Sequence, residues 1–475
     1  MKTYHSFQEV KADISHGNIS CKEIVSNYLI TIKEKSHLNA FLEIYEQEAS
    51  QKAEEIDKKI KNGTAGKLAG MVIGLKDVLA HQDHGLQASS KILDGFISQF
   101  SATAVQKLLN EDAIIIGRLS CDEFAMGSSN ENSAFGKVLN PIDESRVPGG
   151  SSGSSAVAVA ADMCMTSLGS DTGGSVRQPA AFCGIIGLKP TYSRISRFGL
   201  IAYASSFDSI GVFGKNIEDV ALILEIISGG DEFDSTVSQS SVPSYSNLLI
   251  QDKKPKIAFI RETIESKGLN KEIKERTITT LEWLKTEGYV VEEVDLPLLD
   301  YILPTYYILT TAEASSNLGR YDGVKYGFRS SQSDTLDKMY KKTRTEGFGK
   351  EVKRRIMLGT FVLSADYYDA YYTQAQKVRR MIKDKTDQIF SKYDFIILPT
   401  TPTTAFKFGD HSEDPVEMFL ADLYTVQANV TGIPAISIPN GVSSEGLPIG
   451  LQIMAKHFDE AKLLAFSKLL IERKI

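Results

Sequence analysis

Two serines beside glycines, and one lysine after an apolar run, are the residues of this sequence best suited to nucleophilic chemistry. Ser151 lies in GGSSG, Ser175 lies in GSDTGGSVRQ, and Lys76 follows the apolar residues of GMVIGL. Glycine allows backbone N–H groups to approach a ligand closely, and N–H groups at a turn or a helix start can stabilise an oxyanion. The two segments therefore predict a site for acyl transfer by a serine nucleophile.

A histidine base for either serine is not supported by the sequence. GGSSG matches the G-x-S-x-G pattern of α/β-hydrolases, with Ser151 as nucleophile, but the preceding NPIDESRVP predicts turns where that motif needs a strand. Of the seven histidines, only His411 and His457 follow in the chain order that such a triad requires. Neither lies in a suggestive motif, and FGDHSED around His411 predicts a surface loop.

Lys76 is the remaining candidate for the base. A lysine with a pKa of about 10.4 is protonated at neutral pH, and lowering that pKa to about 7 requires about 4.6 kcal/mol of differential stabilisation. Burial would have to supply it. The alternative for this segment is an ordinary lysine at a strand end that reaches solvent.

The sequence predicts no metal site and no disulfide. His81 and His84 in HQDH could bind a metal, but no third ligand is in view, so a polar loop is the favoured interpretation. The cysteines are far apart and match no zinc or disulfide spacing, which predicts reduced and partly buried thiols: Cys21, Cys121, Cys164 and Cys183.

The pattern along the chain predicts an α/β fold with strands covered by helices on both faces. SCKEIVSNYLITIKEK opens with a capping box, and residues 1–66 read as a helical segment packed on the core. From there to the end, residues 67–475 alternate short apolar runs with amphipathic segments, as one large domain. A strand, helix and strand at about residues 250–300 predict an insertion on the same sheet.

The glycine- and serine-rich region from Val147 to Pro190 is expected to be ordered. Such composition alone is typical of a flexible linker. Here, however, SAVAVAADMCMTSLG predicts a helix of small residues close against a sheet, followed by a strand, and it separates the two Gly/Ser clusters. Both glycine-rich turns should therefore be held on a rigid frame.

Composition excludes several classes of protein. The chain has 475 residues, 42% of them hydrophobic, a net charge of −7 and a pI near 5.7. That charge argues against nucleic-acid binding by this chain alone. A membrane span needs about 18 consecutive apolar residues, and the sequence contains no such run. The N-terminal MKTYHSFQEVKADISHG lacks the regions of a signal peptide, so a cytoplasmic protein is expected.

The motifs GGSSGSSA and GSDTGGSVRQPAAFCG, together with Lys76 in GLKD, resemble the amidase signature family over nearly the whole chain. The resemblance implies a large mixed central sheet and a Ser–cis-Ser–Lys catalytic group. Ser175 would be the nucleophile, Ser151 the bridging serine that follows a cis peptide bond, and Lys76 the base. The oxyanion would be held by backbone amides around Thr172, Gly173, Gly174 and Ser175. One departure is Ser154, which stands where the family usually has glycine.

Two further segments, TAEASSNLGRYDGVKYG and EGFGKEVKRRIMLGTFVLSADYYDAYY, resemble one branch of that family, the glutaminase subunits of tRNA-dependent amidotransferases. The resemblance implies that the chain releases ammonia from glutamine and contains no cofactor. A B subunit would bind the tRNA and use ATP and magnesium, and a C subunit would clamp the two. Whether Glu-tRNA, Asp-tRNA or both are served is a choice that the partner would make.

The same resemblance implies which residues bind glutamine. Arg355 would hold the α-carboxylate and Asp422 the α-amino group, with Tyr306 nearby, because a zwitterion needs one opposite charge at each end. MGSSN stands where related subunits often have MGGST, so the binding residues would include Met126, Gly127 and Ser128. Two alternatives remain: a stand-alone amidase for another small amide, and a non-catalytic scaffold subunit.

Overall fold

The fold is organised around one mixed sheet of eleven strands. The computed structural model describes residues 3–251, 253–332, 334–410 and 421–473. In chain order the strands are β1 (Phe41–Ile44), β2 (Val72–Lys76), β3 (Ile114–Leu119), β4 (Thr166–Asp171), β5 (Ile186–Lys189), β6 (Ser209–Gly214), β7 (Lys256–Ile260), β8 (Val290–Val294), β9 (Phe395–Pro399), β10 (Ala435–Val442) and β11 (Pro448–Ala455). Their order across the sheet is β1-β3-β2-β4-β6-β5-β10-β11-β9-β7-β8.

Parallel pairs lie on both sides of an antiparallel centre. β3, β2 and β4 are parallel to one another, as are β9, β7 and β8, whereas the pairs between β4 and β9 are antiparallel. The strand-helix-strand unit formed by β7 and β8 lies at one edge, and β1 from the N-terminal segment lies at the other. The N-terminal segment thus contributes a strand as well as helices.

The α-helices in the described ranges precede, connect and follow these strands. They are α1 (Phe7–Ser15), α2 (Cys21–Glu34), α3 (Glu46–Lys61), α4 (Thr103–Asn110), α5 (Gly153–Ala160), α6 (Arg177–Cys183), α7 (Ile217–Ile227), α8 (Arg261–Glu265), α9 (Lys271–Thr286), α10 (Leu299–Asn317), α11 (Leu336–Gly347), α12 (Lys350–Val362), α13 (Gln374–Phe390), α14 (Val426–Thr431) and α15 (Glu460–Glu472). The capping box is confirmed at α2, where Ser20 and Glu23 each accept the other's backbone N–H. Among the described residues, no helix is both long and apolar enough to cross a membrane.

Hydrophobic cores lie on both faces of the sheet, as the sequence pattern predicts. Successive side chains of a strand point to opposite faces, and the residues of β9 show this alternation. Ile397 packs in one core and its neighbours Ile396 and Leu398 pack in the other. The first core includes apolar residues of α2 and α7, and the second includes residues of α10 and α13. The predicted α/β fold with a large mixed sheet is therefore confirmed.

The pairing of β2 with β4 positions the lysine. The two strands are parallel neighbours, with Leu75 level with Leu168, so their carboxyl ends meet at the same edge of the sheet. Lys76 is the last residue of β2, and β4 ends at Asp171, directly before the segment TGGS. The helix predicted within SAVAVAADMCMTSLG is confirmed as α5, which begins two residues after Ser151.

Candidate active site

The amine of Lys76 is surrounded by three serine hydroxyls. Its Nζ lies 2.7 Å from Ser151 Oγ, 2.9 Å from Ser152 Oγ and 2.9 Å from Ser170 Oγ. The lysine has no exposed surface, and Ser151 and Ser152 have none either. Lys76 is thus a buried strand-end lysine directed at hydroxyl groups, and the alternative of a lysine that reaches solvent is wrong.

Burial shifts the acid–base equilibrium of Lys76 toward the neutral amine. Burial lowers the pKa of Lys76, although the neighbouring acidic side chains act in the opposite direction. A neutral amine donates two hydrogen bonds and accepts one. The Ser152 hydroxyl donates to the carbonyl oxygen of Ser170 at 3.1 Å, so toward Lys76 it can only accept. Ser151, the nearest of the three hydroxyls, is the best placed to give its proton to the amine.

Ser175 is the accessible member of the predicted group. It is partly exposed, whereas residues 170–174 before it are buried. Its carbonyl oxygen accepts from the Ser152 N–H at 3.2 Å, which holds its backbone beside the second serine of GGSSG. Within the described ranges its hydroxyl makes no hydrogen bond, as suits a nucleophile whose contacts tighten when substrate arrives. The Gly150–Ser151 peptide bond is cis, as the resemblance implies.

A buried ion pair shapes the loop that carries Ser175. Asp171 accepts from the backbone N–H groups of Gly174 (2.9 Å) and Val176 (3.1 Å) and from the Arg177 guanidinium (Nη2 at 2.9 Å). Burial acts to raise the pKa of Asp171, but the guanidinium outweighs it and lowers that pKa to about 2. Asp171 is therefore ionised at neutral pH and fixes the turn TGGS. Arg177 also donates to the Thr425 carbonyl oxygen at 2.7 Å, on the segment that follows Asp422.

The two glycines before Ser175 are required by close contacts. A Cβ at Gly173 would lie 2.4 Å from the Tyr306 hydroxyl, and a Cβ at Gly174 would lie 2.2 Å from Thr425 Oγ1. Gly174 also has a φ of +134°, a conformation that side chains rarely allow. These contacts bring Tyr306, predicted to line the substrate site, directly onto the loop of Ser175.

The predicted oxyanion amides are not equivalent. The Gly174 N–H donates to Asp171. It could hold an oxyanion only if this hydrogen bond to Asp171 broke. Thr172 and Gly173 lie beside it on the same turn, and the Thr172 hydroxyl donates to Asp208 Oδ1 at 2.6 Å. The amides of Thr172, Gly173 and Ser175 therefore stay the better candidates for holding an oxyanion.

Arg355 and Asp422, far apart in the sequence, lie in one buried cluster. Tyr307 joins them: its hydroxyl donates to Asp422 Oδ2 at 2.9 Å, and its ring centroid lies 5.4 Å from the Arg355 guanidinium carbon. Arg355 is only 4% exposed; its Nη1 donates to the Tyr203 hydroxyl at 2.8 Å and its Nε to Glu351 at 2.7 Å. The cluster thus contains the Arg355 guanidinium, which is paired with Glu351, and the Asp422 carboxylate.

The pKa of the Asp422 carboxyl group is raised above its ordinary value. Burial raises its pKa to about 6, and hydrogen bonds from Tyr307 and Ser128 act against that rise. Ser128 Oγ lies 3.0 Å from each Asp422 oxygen. Thr425 connects Asp422 to the loop that carries Ser175. Its hydroxyl lies 2.6 Å from the carbonyl oxygen of Gly173 and 3.0 Å from the carbonyl oxygen of Asp422.

The other predicted binding residues occupy different surroundings. Met126 has a fully buried side chain within one of the hydrophobic cores. A Cβ at Gly127 would lie 2.3 Å from Asp122 Cγ, so this position is filled by a neighbouring carboxylate. Of the segment MGS, the Ser128 side chain makes the contact with Asp422. The Nε2 of His457 lies 3.1 Å from the Thr431 carbonyl oxygen, and His411 lies outside the described residues.

Sequence reasoning missed several residues of this site. Ser152 and Ser170 lie inside the motifs GGSSG and GSDTGGSVRQ, but the contact of Ser170 with Lys76 depends on the parallel pairing of β2 with β4, for which the sequence carries no local signal. Tyr307 and Tyr203 had no comparable signal, because aromatic residues in a helix or loop usually belong to the core. Glu351 lies one helical turn before Arg355 on α12, and that spacing predicts an ion pair.

Comparisons with known proteins show the family of this chain. A family model described as Amidase matches residues 23–464. The A subunit of glutamyl-tRNA(Gln) amidotransferase from Chlorobium phaeobacteroides (strain BS1) is 48% identical over 472 residues, which covers 98% of each chain. The protein of the same name from Koribacter versatilis (strain Ellin345) is 51% identical over 432 residues, which covers 91% of this chain and 90% of its own.

Solved structures show the same fold. The crystal structure of the A subunit of glutamyl-tRNA(Gln) amidotransferase from Thermotoga maritima has a TM-score of 0.77 at 38% identity, covering 95% of this chain and 91% of that chain. A structure described as a vestigial protein complex that reveals the origins of an s-triazine catabolic enzyme has a TM-score of 0.86 at 28% identity, covering 99% and 98%. The similarity thus extends over nearly the whole chain.

Proposed function

Because this chain belongs to the amidase family, we propose that it is the glutaminase subunit of a tRNA-dependent amidotransferase, acting through Ser175, Ser151 and Lys76. The reaction is hydrolysis of the side-chain amide of glutamine to glutamate and ammonia. Support comes from the names of its relatives and from a site that combines a buried amine, serine hydroxyls and two opposite charges.

The proposed chemistry transfers the proton of Ser175 along two groups. Ser175 Oγ attacks the amide carbon while its proton passes to Ser151, and Ser151 passes its own proton to the neutral Lys76 amine. The oxyanion is held by backbone amides of the TGGS turn. The reverse transfer protonates the departing nitrogen, which leaves as ammonia. Water then hydrolyses the γ-glutamyl ester of Ser175 through the same groups, which restores the free enzyme.

The observation that carries the choice of glutamine is the position of Arg355 and Asp422 on either side of Tyr307. One guanidinium and one carboxylate share a buried cluster that adjoins Gly173 through Tyr306 and Thr425. Buried charges are costly unless partners compensate them, and here Glu351 pairs with Arg355 while Tyr307 donates to Asp422. A free amino acid supplies a carboxylate for Arg355 and an ammonium for Asp422, and its side-chain amide then extends toward Ser175.

The proposed function requires two partner subunits, B and C. The ammonia is passed to a B subunit that binds Glu-tRNA(Gln), or Asp-tRNA(Asn), and uses ATP and magnesium, while a C subunit clamps the two chains. This chain itself requires no cofactor for the glutaminase step. A cytoplasmic location follows from the proposal, because aminoacyl-tRNA is made and used there.

The test is ammonia release from glutamine by the full-length chain, alone and with co-expressed partner subunits. Ser175→Ala removes one oxygen at a turn, so we expect it to abolish ammonia release while leaving assembly intact. Ser235→Ala, at an exposed serine outside the site, is the matched control and should keep parental activity. Near-parental activity in Ser175→Ala would overturn the mechanism.

The same assay separates the alternatives. A stand-alone amidase would act without partners on neutral amides and show no preference for a zwitterion. A scaffold subunit would be recovered with its partners but release no ammonia in any combination. Loss of ammonia release in Ser175→Ala, combined with a clear preference for glutamine, is the result that the proposal requires.

A further inference from the structure

A group of three metal-binding side chains lies outside the catalytic site. Glu48 is in the first turn of α3, and His81 and His84 are in the loop that follows β2. One ligand atom from each residue lies within 4.8 Å of those of the other two. His81 and His84 are the pair in HQDH for which the sequence alone showed no third ligand. The fold supplies that ligand from the N-terminal segment.

His84 has the orientation of a metal ligand. Its Nδ1 lies 2.7 Å from the Gln82 carbonyl oxygen, which requires a proton on Nδ1. Its Nε2 lies 2.7 Å from Glu48 Oε2. A histidine that ligates a metal typically donates its other N–H to a backbone carbonyl or a carboxylate, which fixes the free nitrogen toward the ion. A divalent ion can therefore replace the proton between Nε2 and the carboxylate.

His81 supplies an independent observation. Its side chain is 6% exposed, and within the described part of the chain its Nδ1 is buried with no hydrogen-bond partner. A buried polar nitrogen without a partner is costly, and a bound ion would satisfy it. The two imidazole rings are parallel, with centroids 4.2 Å apart. Because Gln82 and Glu48 hold the His84 ring, the His81 ring must turn for both nitrogens to face the same ion.

We propose that Glu48, His81 and His84 form a binding site for a divalent transition metal of the zinc class. Two imidazoles and one carboxylate are a ligand set that zinc commonly takes, with water in the remaining position. The ion links the first turn of α3 to the loop that begins at Asp77, directly after Lys76. Its role is structural: it joins the N-terminal segment to the strand that carries the base, and it takes no part in the reaction.

The test measures zinc bound to the chelator-treated full-length chain by equilibrium dialysis with elemental analysis. We expect one zinc ion per chain in the parent. Glu48→Gln changes an exposed carboxylate to an amide of the same shape and should weaken binding by about tenfold or more. His81→Ala should lose the ion. His37→Ala is the matched control, because His37 and Glu144 form an exposed pair at 3.0 Å that lacks a second imidazole.

Thermal unfolding gives a second readout that does not depend on activity. Zinc should raise the Tm of the parent and of His37→Ala, should raise that of Glu48→Gln by less, and should leave that of His81→Ala nearly unchanged, because only an ion bound to the folded state stabilises it. Cobalt(II) bound in place of zinc should show visible absorption without thiolate charge transfer. Absence of zinc binding by the parent, or equal binding by all four proteins, would overturn the proposal.

Discussion

Ser128 donates its hydroxyl hydrogen to Asp422, with 3.0 Å to each carboxylate oxygen. The resemblance drawn from the sequence implies that related subunits often have glycine at the position of Ser128. The hydroxyl favours the ionised carboxylate and opposes the effect of burial, which raises the pKa of Asp422 to about 6. Ser128 thus adjusts the pH range in which Asp422 can bind an ammonium group.

Ser128→Gly should move the acid limb of kcat/KM for glutamine to higher pH. Loss of one hydrogen bond to a charged group, worth about 1.5 kcal/mol, corresponds to about one pKa unit. The sign follows because the variant carboxyl is protonated at a higher pH, and a protonated Asp422 cannot pair with the α-ammonium. The check is a profile of kcat/KM from about pH 5 to 8. An acid limb at the parental position would contradict the role given to Ser128.

Lys76→Met should lose glutaminase activity at every accessible pH, because it removes the amine and keeps a side chain of similar length. Lys189→Met is the control, since Lys189 is also fully buried and its Nζ donates to the Pro190 carbonyl oxygen, outside the proposed machinery. That variant should retain glutaminase activity. Recovery of most of the rate by Lys76→Met at high pH would show that another group is the base.

Arg355→Gln should reduce kcat/KM for glutamine about tenfold to a hundredfold, because a charge-assisted contact is worth about 1.5–3 kcal/mol. It should also discriminate poorly between glutamine and its carboxyl-blocked amide, which the parent should reject. Arg354→Gln is the matched control on the same helix, with a side chain that is 39% exposed. Equal losses in the two variants would contradict the substrate role of Arg355.

Thr172→Val should destabilise the fold more at high pH than at low pH. Burial raises the pKa of Asp208 to about 7, and the Thr172 hydroxyl opposes that rise. Because the folded pKa lies above the unfolded value, the parent loses stability as pH rises from about 4 to 7. Without the hydroxyl, the ionised carboxylate is less satisfied, so the loss is larger and extends to higher pH.

Urea unfolding at about pH 5 and about pH 8 measures this difference. We expect the variant to differ little from the parent at the lower pH, where Asp208 is protonated in both proteins. At the higher pH the free energy of unfolding should fall by about 1 kcal/mol relative to the parent, because protonation of Asp208 limits the loss to about one pKa unit. Equal destabilisation at both values would show that the effect is one of packing and not of the carboxylate.

Local patterns in the sequence determined the elements and the chemical groups. Apolar runs predicted the strands that contain Lys76 and precede Ser175, and the capping box predicted the start of α2, because these features depend on neighbours within a few residues. Motif resemblance added roles for Ser151, Arg355 and Asp422. These roles stay predictions, although the fold brings the first beside Lys76 and the other two into one cluster.

Tertiary structure alone decided which groups meet. Parallel pairing of β2 and β4 brings Ser170 to Lys76, and the packing of α10 places Tyr306 on Gly173 and Tyr307 against Asp422. The bond from Gly174 to Asp171, and the approach of Glu48 to the histidine pair, arise in the same way. Such contacts join residues whose distance in space depends on the register of strands and the packing of helices. Neither can be predicted from a local segment of the sequence.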